Sequence, residues 1–165
     1  MSTETREATL FEWLSEYGDL INRTCCLILG DRALAEDATQ ETFIRAWKSM
    51  AQYKGDASPK TWLTRIAINV CRNMRRTAWF RRHDRSVTPE DLPLSVPAED
   101  RTLLLTVQQL PEKFRQVVIL RYYQGMSLDE CARVLGISRS TAHHRLQKAL
   151  TQLRLDFDEG RDEHD

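Results

Sequence analysis

The chain has 165 residues, of which 41% are hydrophobic and 29% charged. That suits one domain or two small ones of a soluble globular protein, and no apolar run approaches the roughly 20 residues that cross a bilayer, so no direct membrane insertion is expected. Lysine plus arginine and aspartate plus glutamate each number 24, giving zero formal net charge; a generally adhesive polycation is excluded, and any nucleic-acid binding must come from local patches.

The N-terminal MSTETREATLFEW lacks the basic-then-apolar pattern of a signal peptide, so a cytoplasmic protein is expected. Leu10 to Leu29 has the apolar spacing of a helix, through Leu10, Trp13, Leu14, Tyr17, Ile21, Cys25 and Ile28, with Gly18 a point at which it can bend. Gly30-Asp31 breaks it, and Asp31 can cap the next helix. That second helix reads as Arg32 to Met50, with an inward stripe of Ala35, Ala38, Thr42, Phe43 or Ala46, Trp47 and Met50. Asp37, Gln40, Glu41 and Ile44 share another face at helical spacing. A solvated face is the usual reason for such residues; Ile44 within it points to a protein partner, although one exposed apolar residue is normal.

Ala51 to Ser58 reads as a loop containing Gly55. Ser58-Pro59 opens a third helix, serine as N-cap and proline in the first turn, with Leu63, Ile66, Ala67, Val70 and Met74 buried. Thr61, Arg65, Asn69, Arg72 and Arg76 line another, mostly basic face. A basic run of Arg72, Arg75, Arg76, Arg81, Arg82 and Arg85 is interleaved with Trp79 and Phe80. Such a mixture suits single-stranded nucleic acid, since aromatics stack on bases while arginines hold phosphates; a solvated basic helix end with core aromatics fits equally well.

HDRSVTPEDLPLSVPAED, residues 83–100, changes character. Pro89, Pro93 and Pro97 exclude a long helix, so this stretch reads as a flexible linker between two domains. Arg101 to Gln109 reads as a short helix, and Pro111 starts another, PEKFRQVVILRYYQ, with a broadly apolar pattern through Phe114, Val117, Val118 and Leu120.

Gly125 to Arg154, GMSLDECARVLGISRSTAHHRLQKALTQLR, reads as two helices and a tight turn. Leu128, Cys131, Ala132 and Leu135 fall on one face. Ser127 and Glu130 form a capping box, Gly136 stops the helix, Ile137 plugs the corner and Ser138 caps the next helix. There Ala142, Leu146, Ala149, Leu150 and Leu153 share one face. Ser140, His143, His144, Gln147, Lys148 and Thr151 share the other. A helix-turn-helix whose second helix shows a row of hydrogen-bonding side chains fits the DNA major groove; a plain helical hairpin with a solvated face is the alternative. Asp156, Asp158, Glu159, Asp162, Glu163 and Asp165 make an acidic tail, residues 156–165.

Four cysteines, Cys25, Cys26, Cys71 and Cys131, form no CxxC pair, and no histidine stands at zinc-ligand spacing from one. Buried reduced thiols are expected, with no metal site and no cofactor. No strand pattern, phosphate loop or nucleophile–base pair emerges, so an enzyme is the least favoured reading. The fold class expected is all-α.

Three of these stretches together resemble a bacterial sigma factor of the extracytoplasmic-function group. AEDATQETFIRAW, Ala35 to Trp47, resembles the core-binding helix of that family's second conserved region. TWLTRIAINVCRN, Thr61 to Asn73, is similar to its promoter-melting helix, and LPEKFRQVVILRYYQGMSLDECARVLGISRSTAHHRL, Leu110 to Leu146, to its fourth conserved region. The resemblance implies a non-enzymatic protein that joins the RNA polymerase core and directs it to promoter DNA. It implies a region-two-like domain at 1–82, a linker at 83–100 and a region-four-like domain at 101–155. Asp37, Gln40, Glu41 and Ile44 would meet the core. Tyr53, Thr61, Arg65, Asn69, Arg72 and Arg76 would hold the minus-ten element as an unpaired strand, Tyr53 and Asn69 around a flipped base. Arg139, Ser140, Thr141, His143, His144, Gln147 and Lys148 would meet the minus-thirty-five duplex. An anti-sigma factor, often membrane-anchored in this family, is the implied regulator. The chain departs from the family in its recognition helix, with Ser140-Thr141-Ala142 and then His143-His144 where Gly-Thr-Val and basic residues are common. An ordinary helix-turn-helix regulator that binds duplex DNA without polymerase, and a decoy that occupies a regulator, are the other readings.

Overall fold

The computed structural model describes residues 2–79 and 105–162, with side chains through Thr77 in the first stretch and Arg154 in the second. The linker read at 83–100, the residues Phe80, Arg81, Arg82 and Arg85, and the start of the short helix at Arg101 lie outside them. The chain divides into an N-terminal and a C-terminal unit, and every regular element described is helical.

The first unit packs three helices against one another. Helix α1 spans Thr3–Leu29 and starts well before the expected Leu10. Ser2 caps it by accepting from the Thr5 N–H at 3.2 Å. Its first turns are polar and exposed, so they carry no hydrophobic period by which to recognise them. Gly18 lies within the continuous helix; a Cβ there would meet only Leu14 Cδ1, at 3.6 Å. Gly30, at φ +66°, ends α1 and donates to the Cys26 carbonyl at 2.8 Å. Asp31 then accepts from the N–H groups of Ala33 and Leu34, at 3.0 and 3.2 Å, and opens helix α2, Arg32–Ser49.

Ala35, Ala38 and Ala46 are fully buried on α2, and side chains this small let neighbouring helices approach closely. A 3-10 turn, Met50–Gln52, leads into the loop, and Ser58 caps helix α3, Pro59–Trp79, by accepting from the Thr61 N–H at 3.2 Å. The buried band of α3 is broader than the expected stripe. Thr64, Ile68 and Cys71 are fully buried beside Leu63, Ala67 and Val70, whereas Ile66 and Met74 are only half-buried. Arg75, read as part of the basic run, donates to the Ile28 carbonyl at 3.1 Å. It thereby satisfies one of the carbonyls that the end of α1 leaves open.

In the second unit, residues 105–108 are helical. Helix α4, Glu112–Val118, follows Pro111 and passes into a π-helical turn, Ile119–Tyr123. The expected single regular helix is thus interrupted: the Gln124 N–H reaches the Ile119 carbonyl at 3.1 Å, an i→i+5 bond. Burial is continuous from Arg115 to Leu120, polar residues included. The Arg115 guanidinium donates to Gln108 Oε1 at 3.1 Å and to the Leu110 carbonyl at 3.3 Å, joining the short 105–108 turn to α4. Helices α5, Leu128–Leu135, and α6, Arg139–Asp162, complete the unit. Helix α6 runs past the boundary expected at 155, into the stretch read as an acidic tail.

All four cysteines are buried. Burial pushes the Cys131 thiol up to about 11, against a lowering influence from the Arg121 charge, so this thiol stays protonated and unreactive at neutral pH.

Candidate nucleic-acid interface

The helix-turn-helix is set by local chemistry at each of its corners. Ser127 Oγ accepts from the Glu130 N–H at 3.2 Å, the hydroxyl half of the capping box. Gly136, at φ +67°, takes the left-handed conformation that ends α5. The Ile137 N–H then reaches back to the Ala132 carbonyl at 3.0 Å, and half-buried Ile137 fills the corner. Ser138 accepts from the Thr141 N–H at 3.1 Å and starts α6. Cys131, Ala132, Val134 and Leu135 of α5 are buried, as are Ala142, Leu146, Ala149 and Leu153 of α6.

These contacts fix which side of α6 is left outside. Arg139, Ser140, His143, His144, Gln147, Lys148 and Thr151 are all exposed. Thr141 differs: it is half-buried, and its hydroxyl accepts from Ser138 Oγ at 2.8 Å, so it serves the cap. Arg139 lies 3.6 Å from Asp129 across the turn, with both side chains largely exposed. Such a pair holds little energy and leaves the guanidinium available to a stronger anion.

In the first unit the expected residues fall into three groups. Asp37, Gln40, Glu41 and Ile44 share one face of α2, with Ile44 47% exposed. Together with Arg45 they form one wall of an open groove whose other wall is Val70, Asn73, Met74 and Thr77 of α3. Glu41 pairs with Arg45 at 2.9 Å within that wall. The α3 wall has no signature in the sequence, where the helical period puts Val70 and Met74 in the buried stripe.

Arg65, Asn69 and Arg76 are exposed on α3 and Arg72 is half-buried, so the basic line exists as a surface. Thr61 is buried and exchanges bonds with the Ser58 cap; its place in the line is at the helix start, with its hydroxyl already engaged.

Tyr53 is half-buried in an aromatic trio. Its ring centroid lies 5.3 Å from that of Trp13, edge-on, and 5.0 Å from that of Trp62. Its hydroxyl donates to the Ala57 carbonyl at 2.6 Å. Burial, then the nearby Asp56 charge, raises the phenol above its ordinary value, so it holds its proton across the neutral range. The trio ties the loop to α1 and α3. Its partners Trp13 and Trp62 are far apart in sequence and share no local pattern, which is why only the loop and Tyr53 are legible there. Gly55, at φ +79°, makes the turn in that loop.

Comparison with known proteins bears on both units. The family model "Sigma-70 region 2" matches residues 13–81, and "Sigma-70, region 4" matches residues 100–153. The chain is 36% identical to the ECF RNA polymerase sigma factor SigL of Mycobacterium tuberculosis, over 93% of this chain and 92% of that protein. It is 30% identical to SigW of Bacillus subtilis, over 84% and 83% respectively. Two solved structures share its fold. One is CnrH in complex with the cytosolic domain of CnrY (TM-score 0.72, 24% identity, 93% of this chain and 90% of that one). The other is the sigma factor RpoE of Bartonella quintana with the anti-sigma factor NepR (TM-score 0.74, 18% identity, 87% and 92%). With a region-2 match over the three-helix unit, a region-4 match over the helix-turn-helix and relatives aligned along nearly the whole chain, this protein belongs to the extracytoplasmic-function (ECF) RNA polymerase sigma factors.

Proposed function

We propose that the chain joins the RNA polymerase core through the α2 face, reads the minus-thirty-five duplex with α6 and holds the minus-ten element as an unpaired strand against the loop and α3. The observation that carries this is the exposed row on α6, held outward by two caps and a buried opposite face. The reading as a helix-turn-helix regulator acting without polymerase is disfavoured, because the family match extends over the first unit as well as over the helix-turn-helix. Purified chain and core should together transcribe from cognate promoters, and neither alone should. Tight duplex binding unaffected by core would overturn this reading. The role involves no catalysis by the chain itself and places it in the cytoplasm with the polymerase. Because both structural neighbours were solved with partners, RpoE with an anti-sigma factor and CnrH with the cytosolic domain of CnrY, regulation by an anti-sigma factor is part of the proposal.

Asp37, Gln40, Glu41 and Ile44 would form the core contact. Reversing Asp37 and Glu41 to lysine should leave the helix content intact, since losing the exposed Glu41–Arg45 pair costs about 0.5 kcal/mol or less. Co-purification with polymerase core should nonetheless fall sharply. Unchanged core affinity alongside unchanged circular dichroism would move the contact elsewhere.

Tyr53, Thr61, Arg65, Asn69, Arg72 and Arg76 would serve the minus-ten strand. Asn69 is exposed and offers both a donor and an acceptor to a base edge. Extracting a base from the duplex costs a few kcal/mol, which such contacts must offset. Asn69→Ala should not destabilise α3, because alanine is the better helix former. It should slow opening, followed by the fluorescence of 2-aminopurine placed in the minus-ten element, without changing core binding. Wild-type opening with unchanged base preference would remove Asn69 from the pocket.

A further inference from the structure

Two adjacent exposed positions of α6 carry imidazoles, His143 and His144. Their side chains leave the helix about 100° apart, so they address different parts of a bound duplex, each with a longer polar neighbour one turn on, Gln147 and Lys148. They lie on the side of α6 away from its buried contacts with α4 and α5. The charged groups of those elements are Glu112, Lys113 and Arg115 on α4 and Asp129, Glu130 and Arg133 on α5; among its residues with described side chains, α6 adds Arg139, Arg145, Lys148 and Arg154. Several are engaged elsewhere: Asp129 by Arg139 at 3.6 Å, Glu112 by Gln116 at 3.3 Å, and Arg115 by Gln108 and Leu110. Among the described residues neither imidazole is hydrogen-bonded or ion-paired within the protein. Both are open to solvent and to whatever α6 meets.

Histidine is the side chain whose charge ordinarily changes between pH 5 and 8. A neutral imidazole presents one donor and one acceptor, and an imidazolium two donors. Phosphate oxygens and the O6 and N7 edge of guanine present only acceptors to the major groove. Both therefore favour the protonated ring over the neutral one.

Resting on the reading of α6 as the minus-thirty-five helix, we propose that His143 and His144 make this recognition proton-linked. Each takes up a proton from solvent on engaging DNA, and the protonated pair selects acceptor-only guanine edges over edges that also donate. The sign comes from linkage. The complex holds these protons more tightly than the free protein, so the added affinity is present at low pH. It is lost as pH rises through the range where the bound rings deprotonate. A lysine or arginine at these positions would hold its charge throughout.

The test uses full-length chain bound to polymerase core, with a fluorescent promoter duplex drawn from a selection on randomised sequence. Anisotropy titrations run from about pH 5.5 to 8.5 at fixed salt, because phosphate contacts are strongly salt-dependent. The comparison is with H143Q/H144Q, which keeps hydrogen-bonding side chains but cannot titrate. Any pH dependence of the core is common to both and cancels in their affinity ratio. That ratio should favour the wild type by about ten-fold more at the acid end than at the alkaline end. The wild type should also discriminate more strongly for guanine at the acid end. A ratio constant across pH, with promoter preference altered in the variant, overturns the proton linkage and leaves the minus-thirty-five reading standing. A constant ratio with unaltered preference overturns both.

Discussion

Leu146→Asp is expected to unfold the second unit while the first stays folded. Leu146 is 6% exposed and sits among Ala142, Ala149 and Leu153 on the buried face of α6. A carboxylate there has no partner, and an uncompensated buried charge costs about 3–5 kcal/mol. At roughly 0.1 kcal/mol per residue, that is comparable to the whole stability of so small a unit. Hydrogen exchange should lose protection across α4, α5 and α6 and keep it across α1, α2 and α3. Transcription from promoters that need the upstream element should disappear, while core binding through α2 persists. Gln147→Ala, one residue along and exposed, provides the contrast: protection unchanged, with binding weakened by about 1–3 kcal/mol if a good base contact is lost. Retained protection across α6 in Leu146→Asp would mean that a different face supports the recognition helix.

The contrast between those two neighbours is legible in the sequence alone, because it rests on local rules. A 3.6-residue period, a serine cap at each helix start and a glycine at the corner are written in consecutive residues. The helix-turn-helix and the exposed row of α6 accordingly match the sequence reading closely. The same holds for Gly30 and Asp31, where a left-handed glycine and a capping carboxylate lie side by side. What the sequence conceals depends on partners distant in the chain or on departures from a regular period. Arg115 looks like a surface residue, yet it is buried because Gln108 and the Leu110 carbonyl come to meet the guanidinium. The π-helical turn at Ile119–Tyr123 breaks the period of the apolar run before it. Thr61 fits the spacing of the basic line, but the Ser58 cap claims it. Arg75 reads as one more cation in a basic run until the end of α1 arrives beside it.

The loop before α3 is where this matters most, and Trp13→Ala is expected to show it with the second large effect. Trp13 is buried on α1 and packs edge-on against Tyr53 and against Trp62, with ring centroids 5.3 and 5.8 Å away. Removing it deletes the shared wall of the trio, and such large-to-small changes cost about 3–5 kcal/mol. Thermal unfolding of the first unit should shift accordingly, and promoter opening should fall with it. Tyr53→Phe separates the position of the loop from the fold of the unit. It keeps the ring and removes only the bond from the hydroxyl to the Ala57 carbonyl, worth about 1 kcal/mol. The phenol is raised from its ordinary 10.0 by burial, so its contribution is complete below that value and lost as pH climbs through the raised one. The stability gap between wild type and Tyr53→Phe should therefore be constant through neutral pH and narrow only in alkali. If base capture depends on the loop being held by that bond, Tyr53→Phe should slow opening at neutral pH while core binding stays at the wild-type level. Should Tyr53→Phe open promoters at the wild-type rate while Trp13→Ala does not, the trio acts only as core for the three-helix unit. The base pocket would then have to be sought further along α3, at Arg65 and Asn69.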